Sequence, residues 1–250
     1  DQYRDIRWKP DLMIWRDEKR GFRLEPLPAG FVYRTPVEIH LVDDGLALPI
    51  PFDRDRFDWG SNVPPPEDGV VLPFSGLKLR RPRDADRWQE FAVFQGASYF
   101  KAIARDQVYG LTARGLAINT AEPDGEEFPY FSRFYIEKPE ENAQTVRLYA
   151  LLDSKMVTGA YRFTIRSGDE TNIDVELTLF PREDLGHVGL GALNSMFFYG
   201  PIGRGRGDEI RPAVHLSDGL AVVTGLGERL WRPLANPRTL QISAFGDENP

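Results

Sequence analysis

The chain has no cysteine, only three histidines and no long apolar run. Without thiols it forms neither a disulfide nor a thiolate metal site. His40, His187 and His215 are too scattered to make a metal-ligand motif, so no metal is expected, and no cofactor is expected either. A membrane-crossing helix takes roughly 20 consecutive apolar residues, and no such stretch exists. An excess of cations is missing too. Lys and Arg number 31 against 38 Asp and Glu, giving a net charge of −7 with the two signs interleaved. Nucleic acid calls for a clustered positive surface, so it is not an expected partner. There is no G-x-S-x-G nucleophile pattern. The glycines from Gly186 to Gly191 lack the strand-to-helix setting of a nucleotide loop. The Arg206-Gly207-Asp208 tripeptide reads as part of a solvated basic loop. An absence of cysteine suits cytoplasm and periplasm alike.

Turn formers and aromatics are plentiful. With 23 glycines, 20 prolines and 12% aromatics, the composition favours many short strands over long helices. A length of 250 residues suits one large all-β domain. The first fifteen residues read as an extended segment with one helical turn after Pro10. Phe22 to Leu27 and Val37 to Leu41 read as strands, the second closed by the turn Asp43-Asp44-Gly45. Ile50 to Gly69 reads as a polar loop. Its Asp53, Asp55 and Asp58 mimic a calcium loop, but Arg54 and Arg56 intervene and the bidentate Glu is missing. Leu77 to Arg81 is a further strand. Phe91 to Ile103 reads as a strand end, a glycine turn and a short helix capped by Ser98. Tyr109 to Ala121 suits another strand, and Phe134 with Ile136 resumes the sheet. From Thr145 to Phe180 a long hairpin with period 2 on both arms is expected. Asn194 to Gly200 reads as a buried strand.

The chemistry concentrates between Arg211 and Phe245. Ser217-Asp218-Gly219 reads as a tight turn, Leu220 to Thr224 as a buried strand leaving it, and Trp231-Arg232-Pro233 as the start of the returning strand. The turn lifts one carboxylate to the rim of a sheet beside His215 and near Arg229 and Arg232. Sugar rings stack their C–H faces on aromatics and satisfy their hydroxyls with acids and Arg. Glycoside hydrolysis adds a pair of carboxyl groups, one acid and one base. Asp218 is the first choice for one of them, with Glu126, Glu127 and Asp208 behind it. The competing readings are an Asp that caps its own turn and a Trp231 buried in the core.

Four blocks carry a resemblance. They are D-Q-Y-R-D-I-R-W-K-P from Asp1, F-Q-G-A-S-Y-F-K-A-I through Y-G-L-T-A-R-G-L-A-I-N-T-A from Phe94, G-E-E-F-P-Y-F from Gly125, and R-P-A-V-H-L-S-D-G-L with W-R-P-L-A-N-P-R from Arg211. In order and spacing the chain resembles the osmoregulated periplasmic glucan proteins of G and D type, from its first residue to its last. The resemblance implies a periplasmic location and a large N-terminal β-sandwich, similar to galactose mutarotase-like folds, followed by an immunoglobulin-like domain that this chain does not contain. It also implies work on the β-1,2-linked glucose backbone of periplasmic glucans. D-type members resemble inverting endo-β-1,2-glucanases, whereas some G-type members lack that activity and imply a glucan-binding protein that presents the chain to modifying partners. In the hydrolase pattern Asp218 matches the general base, acting through water and a substrate hydroxyl. The family's general acid falls beyond Pro250, so no residue here takes that role. Trp231, Tyr99, Arg211, His215, Glu126 and Glu127 are the expected substrate contacts, Leu216 stands where a polar residue is frequent, and a homodimer is a further expectation.

Overall fold

The alternation from Thr145 onward is realised as a three-stranded meander. In the computed structural model, which describes residues 2–66, 73–84, 87–200, 210–235 and 237–247, Val146, Leu148, Ala150 and Leu152 are buried while their neighbours face outward. Tyr161, Phe163 and Ile165 repeat the pattern on the next strand. Period 2 with one wet face is what an antiparallel sheet over a core requires.

The described residues form two units, Asp1–Tyr109 with Ala113–Ala192, and Gly110–Thr112 with Leu193–Pro250. The first unit opens with a short helix α1 (Gln2–Asp5), strand β1 (Arg7–Trp8) and a 3-10 turn at Pro10–Leu12. Next come β2 (Arg23–Pro28), β3 (Glu38–Asp43) and β4 (Leu46–Pro49). A 3-10 turn at Arg54–Arg56 leads to β5 (Phe57–Asp58), paired with β1. Asp53 caps that turn by accepting from the Asp55 N–H, and Asp58 accepts from the Gly60 N–H. The carboxylates that mimic a calcium loop therefore serve their own backbone. Then follow β6 (Phe74–Pro82), β7 (Trp88–Gln95), β8 (Tyr99–Ala102), β9 (Thr112–Arg114) and β10 (Ala117–Ile118). The last part holds β11 (Tyr130–Glu137), β12 (Thr145–Asp153), β13 (Val157–Ser167), β14 (Thr171–Pro181) and β15 (Val188–Gly189), the last paired with β10.

One sheet runs β14-β13-β12-β11-β3-β4, and the other contains the run β9-β8-β7-β6-β2. All described pairings in them are antiparallel except β3 with β11, where Glu38 stands opposite Arg133 and Ile39 opposite Phe134. The sheets meet through a lattice of phenylalanines. Phe94 of β7 packs edge-on to Phe134 and Phe163 of the facing sheet at 5.9 and 5.1 Å, and Phe100 reaches Phe163 at 5.2 Å. This is an all-β sandwich with very little helix, as the composition indicates.

Two local expectations fail. The stretch after Phe91 holds no helix: Gly96 and Ala97 both adopt positive φ (79° and 45°), which turns the chain straight back into β8. Phe94 then faces Phe100 across the ladder with rings stacked at 5.4 Å. Cross-strand aromatic packing outweighs the local helix tendency of A-S-Y-F-K-A. Ser98 caps no helix; its hydroxyl, buried in the sandwich, contacts the Leu116 N–H and carbonyl instead. The second failure is in the other unit. It contains β16 (Leu193–Asn194), β17 (Phe197–Tyr199), β18 (Val214–His215), β19 (Gly219–Val223) and β20 (Arg229–Pro233). β19 is not buried, since Leu220 and Val223 are 49% and 67% exposed. In β17 only Tyr199 is buried, and Phe198 is exposed. β19 and β20 form a two-stranded sheet of their own, and a lone hairpin covers neither of its faces.

Candidate functional site

The turn Ser217-Asp218-Gly219 is fixed on both flanks. Upstream, β17 pairs with β18, Phe197 standing opposite His215. The Leu216 N–H donates to the Met196 carbonyl at 2.9 Å, and the Ser195 and Ser217 hydroxyls share a hydrogen bond of 2.9 Å. Downstream, the Leu234 N–H donates to the Asp218 carbonyl at 2.9 Å. Backbone and neighbours are tied down while the Asp218 side chain is 85% exposed. His215 lies beneath it, 15% exposed, with its ring tilted against Phe197 at 5.8 Å and its Nδ1 3.7 Å from Asp218 Oδ1. That ring is the one partner of the Asp218 carboxylate among the described residues. No described backbone N–H donates to the carboxylate, so Asp218 does not cap its own turn.

Gly219 decides what stands beside that carboxylate. A Cβ there would meet the Arg232 carbonyl at 2.4 Å, Cζ2 of Trp231 at 2.8 Å and Cα of Pro233 at 2.9 Å. The indole thus crosses over the glycine next to Asp218, a close approach open only to a residue without a side chain. Trp231 is 56% exposed, which corrects the reading of it as a core residue. An open indole and an open carboxylate one residue from its resting place form a surface that can stack a ring and accept a hydroxyl proton. Arg232 leans over the Phe245 ring at 5.5 Å. Arg211 is exposed, its carbonyl anchored by the buried Tyr199 hydroxyl at 3.1 Å.

Tyr99, Glu126 and Glu127 belong to the first unit, and there the acids are engaged. Glu126 accepts from the Arg114 guanidinium and from the Thr120 hydroxyl, the latter at 3.1 Å. Glu127 accepts from the Met156 N–H at 3.1 Å, pinning the entry to β13. Arg114 is buried, and its guanidinium lies 5.4 Å from the Tyr99 ring and 4.9 Å from that of Phe128. Arg114 belongs to no local motif; a single cation among small residues, followed by acids and aromatics, is its one signal in the sequence. Asp208 and the Gly203–Gly207 loop lie outside the described residues. His40 stacks on Tyr135 at 4.8 Å, and His187 pairs with Glu122 at 2.8 Å. Among the described residues no group of three or more ligands is placed to hold a metal.

The first unit also carries two large clefts. One, of about 720 Å³, lies along Pro49–Phe52, Tyr130 and Arg133. The other, of about 750 Å³, lies under the N-terminal segment against β2 and β6. Both fall in the roughly 300–1,000 Å³ range of small-molecule sites.

Residues 1–250, the whole chain, match the family model described as "Periplasmic glucan biosynthesis protein, MdoG". The chain belongs to the periplasmic glucan biosynthesis protein family. Members with similar sequences include the glucans biosynthesis protein G of one Rhodopseudomonas palustris strain, 47% identical over 251 residues, covering all of this chain and 50% of that protein. Others come from Vibrio cholerae, at 47% identity over 255 residues and 46% of its length, and from Shewanella frigidimarina, at 46% over 251 residues and 45% of its length. All of this chain aligns in each case. This member of the glucan biosynthesis family thus spans about half the length of the curated relatives it matches. Among its described residues no helix is long and apolar enough to cross a membrane.

Proposed function

We propose that this chain is the substrate-engaging part of a periplasmic protein that acts on the β-1,2-linked glucose backbone of osmoregulated periplasmic glucans, as an inverting endo-β-1,2-glucanase when full length. The observation that carries the reading is the Asp218 carboxylate, 85% exposed on a turn fixed from both flanks, with His215 3.7 Å away and the Trp231 indole across Gly219. An inverting hydrolase separates its two carboxyl groups by roughly 6.5–9.5 Å to admit a water. A base that stands clear of other acids and keeps access to solvent suits that arrangement. Asp218 takes the proton of the attacking water through a substrate hydroxyl, and Trp231 supports a glucose ring. A carboxyl group beyond residue 250 acts as the acid. Arg211 is a further proposed sugar contact in the same unit, and Tyr99 is proposed separately as a sugar contact of the first unit.

The test uses the full-length protein and linear β-1,2-glucan. Asp218→Asn keeps the shape of the turn and the hydrogen-bonding capacity but removes the base. Release of short oligosaccharides should fall by about 10²-fold or more, in line with loss of general-base catalysis, while glucan affinity by calorimetry stays within about twofold. Unchanged turnover would take Asp218 out of the mechanism.

A second reading has its own support. The relatives named above are G proteins, and the resemblance attaches hydrolysis to the D type. Here the same hairpin binds glucan without cleaving it and presents the chain to modifying enzymes. Full-length wild-type protein that binds the glucan and releases nothing would favour this reading over the first. Assembly as a homodimer belongs to both readings, and sedimentation of the full-length protein measures it.

A further inference from the structure

The cleft under the N-terminal segment has an electrostatic character opposite to that of the chain. The protein carries a net charge of −7, yet the cleft walls bear five cations against two carboxylates, Glu25 and Asp58. Glu25 is already spoken for. Its side chain is 5% exposed and is gripped by Arg80 at 2.7 Å, with Lys78 at 4.0 Å. Lys78 in turn reaches Glu90 at 3.0 Å. These contacts compensate one another and build a rigid floor across β2, β6 and β7. Asp58 turns its carboxylate onto the Gly60 N–H.

The remaining cations are left over. The Arg23 guanidinium carbon lies over the Trp88 ring, 3.9 Å from its centroid, and its Nε is buried without a hydrogen-bond partner. Arg4 and Arg7 line the opposite rim, and neither makes an ion pair among the described residues. Polar positions frame the end of the cleft: Gln95 donates to the Tyr3 hydroxyl, which donates on to the Pro28 carbonyl. Guanidinium groups present planar forks of N–H donors, the geometry that phosphate and carboxylate oxygens match. Asp17 is the carboxylate whose charge acts on Arg23. Arg4 and Arg7 are exposed, and with Arg23 they offer an entering anion N–H donors beyond those the cleft's own carboxylates engage.

We infer that this cleft binds an anionic substituent of the phosphate or carboxylate class carried on the glucan chain, with Arg4, Arg7 and Arg23 as its ligands. The inference rests on the glucan reading for the sugar and on the cleft alone for the charge. Asp218 takes no part in it.

Calorimetry on the full-length protein separates the two. The probes are a neutral linear β-1,2-gluco-oligosaccharide, the same oligosaccharide carrying one phosphate monoester, and inorganic phosphate. At low salt the ester should bind about tenfold more tightly than the neutral compound, and the gap should close to about twofold at 0.5 M salt. In an Arg4→Gln/Arg7→Gln double variant the advantage should disappear while the neutral oligosaccharide binds as before. Both positions are exposed, so an unchanged melting temperature is expected and verifies the fold. Equal affinity for ester and neutral compound, or an advantage that survives in the double variant, overturns the inference and leaves the glucan reading intact. Inorganic phosphate binding as tightly as the ester overturns the assignment to a sugar-borne group. Binding of the ester alone, abolished in the variant, supports the cleft and removes the neutral-glucan reading. Binding of none of the probes overturns both.

Discussion

Gly219 carries more of the site than any residue with a side chain beside it. Its missing Cβ is the space that Trp231 and the Arg232 carbonyl occupy. Two of the three nearest atoms are backbone and cannot swing aside, so Gly219→Ala must open the hairpin. A cost of about 2–3 kcal/mol is expected, at the upper end for overpacking. Hydrogen exchange should report it as a tenfold or greater acceleration for the amides of β19 and β20, with β12 and β13 unaffected. Rates equal to wild type in β19 would show that the indole does not rest on the glycine. At this scale the sequence told half the story. S-D-G announces a turn, and the turn exposes its acid. That Trp231 folds over Gly219 depends on the register Ala221 opposite Trp231, which no local pattern encodes. The engaged state of Glu126 was equally hidden, because Arg114 reaches it only once β9 is in place.

Strand β13 shows how one element divides its energetics between two faces. Inward, Phe163 touches the rings of Phe94, Phe100, Phe131 and Tyr161, with centroids 5.1 to 5.8 Å away. Outward, Arg166 meets Asp174 of β14 at 2.6 Å, both about half exposed. Phe163→Ala should cost about 3–5 kcal/mol through lost transfer and a cavity. Arg166→Ala should cost under about 1 kcal/mol, since water screens the pair. Urea midpoints of the two variants measure the contrast, and comparable losses would contradict the assignment of faces. This division makes the alternation from Thr145 to Phe180 legible from sequence, as an expected long hairpin that the structure resolves into three strands. β2 and β6 are legible too, as the strands Phe22 to Leu27 and Leu77 to Arg81, but long runs of both and of β7 are buried, so alternation does not mark their full lengths. The helix expected after Ser98 failed because tertiary contacts, absent from any local window, select the strand.

For the molecule as a whole, two buried phenols contribute to the alkaline limit. Burial raises the Tyr161 phenol well above its ordinary value of 10.0. Burial and then the neighbouring Glu90 charge do the same for Tyr109. Each phenol therefore holds its proton more tightly in the folded state than in the unfolded one. Their contribution to stability is complete below about pH 10 and is lost progressively as pH climbs from there toward the folded-state values. The melting temperature should fall steeply above pH 10. In Tyr161→Phe it should start lower, through loss of the hydrogen bond to the Gly115 carbonyl, and decline less steeply. Equal slopes in the two proteins would refute a role for Tyr161.

The parallel junction between β3 and β11 has a kinetic side. Glu38 meets Arg133 across 95 residues of chain, whereas the pairings of β11 with β12, β12 with β13 and β13 with β14 join near neighbours in sequence. Closing so long a loop is entropically slow, and contacts between distant segments retard folding more than local ones. The meander is therefore expected to assemble first and to wait, with the β11 edge bare, for a partner synthesised well before it. During that interval the unpaired edge is the place most open to mispairing with a neighbouring molecule.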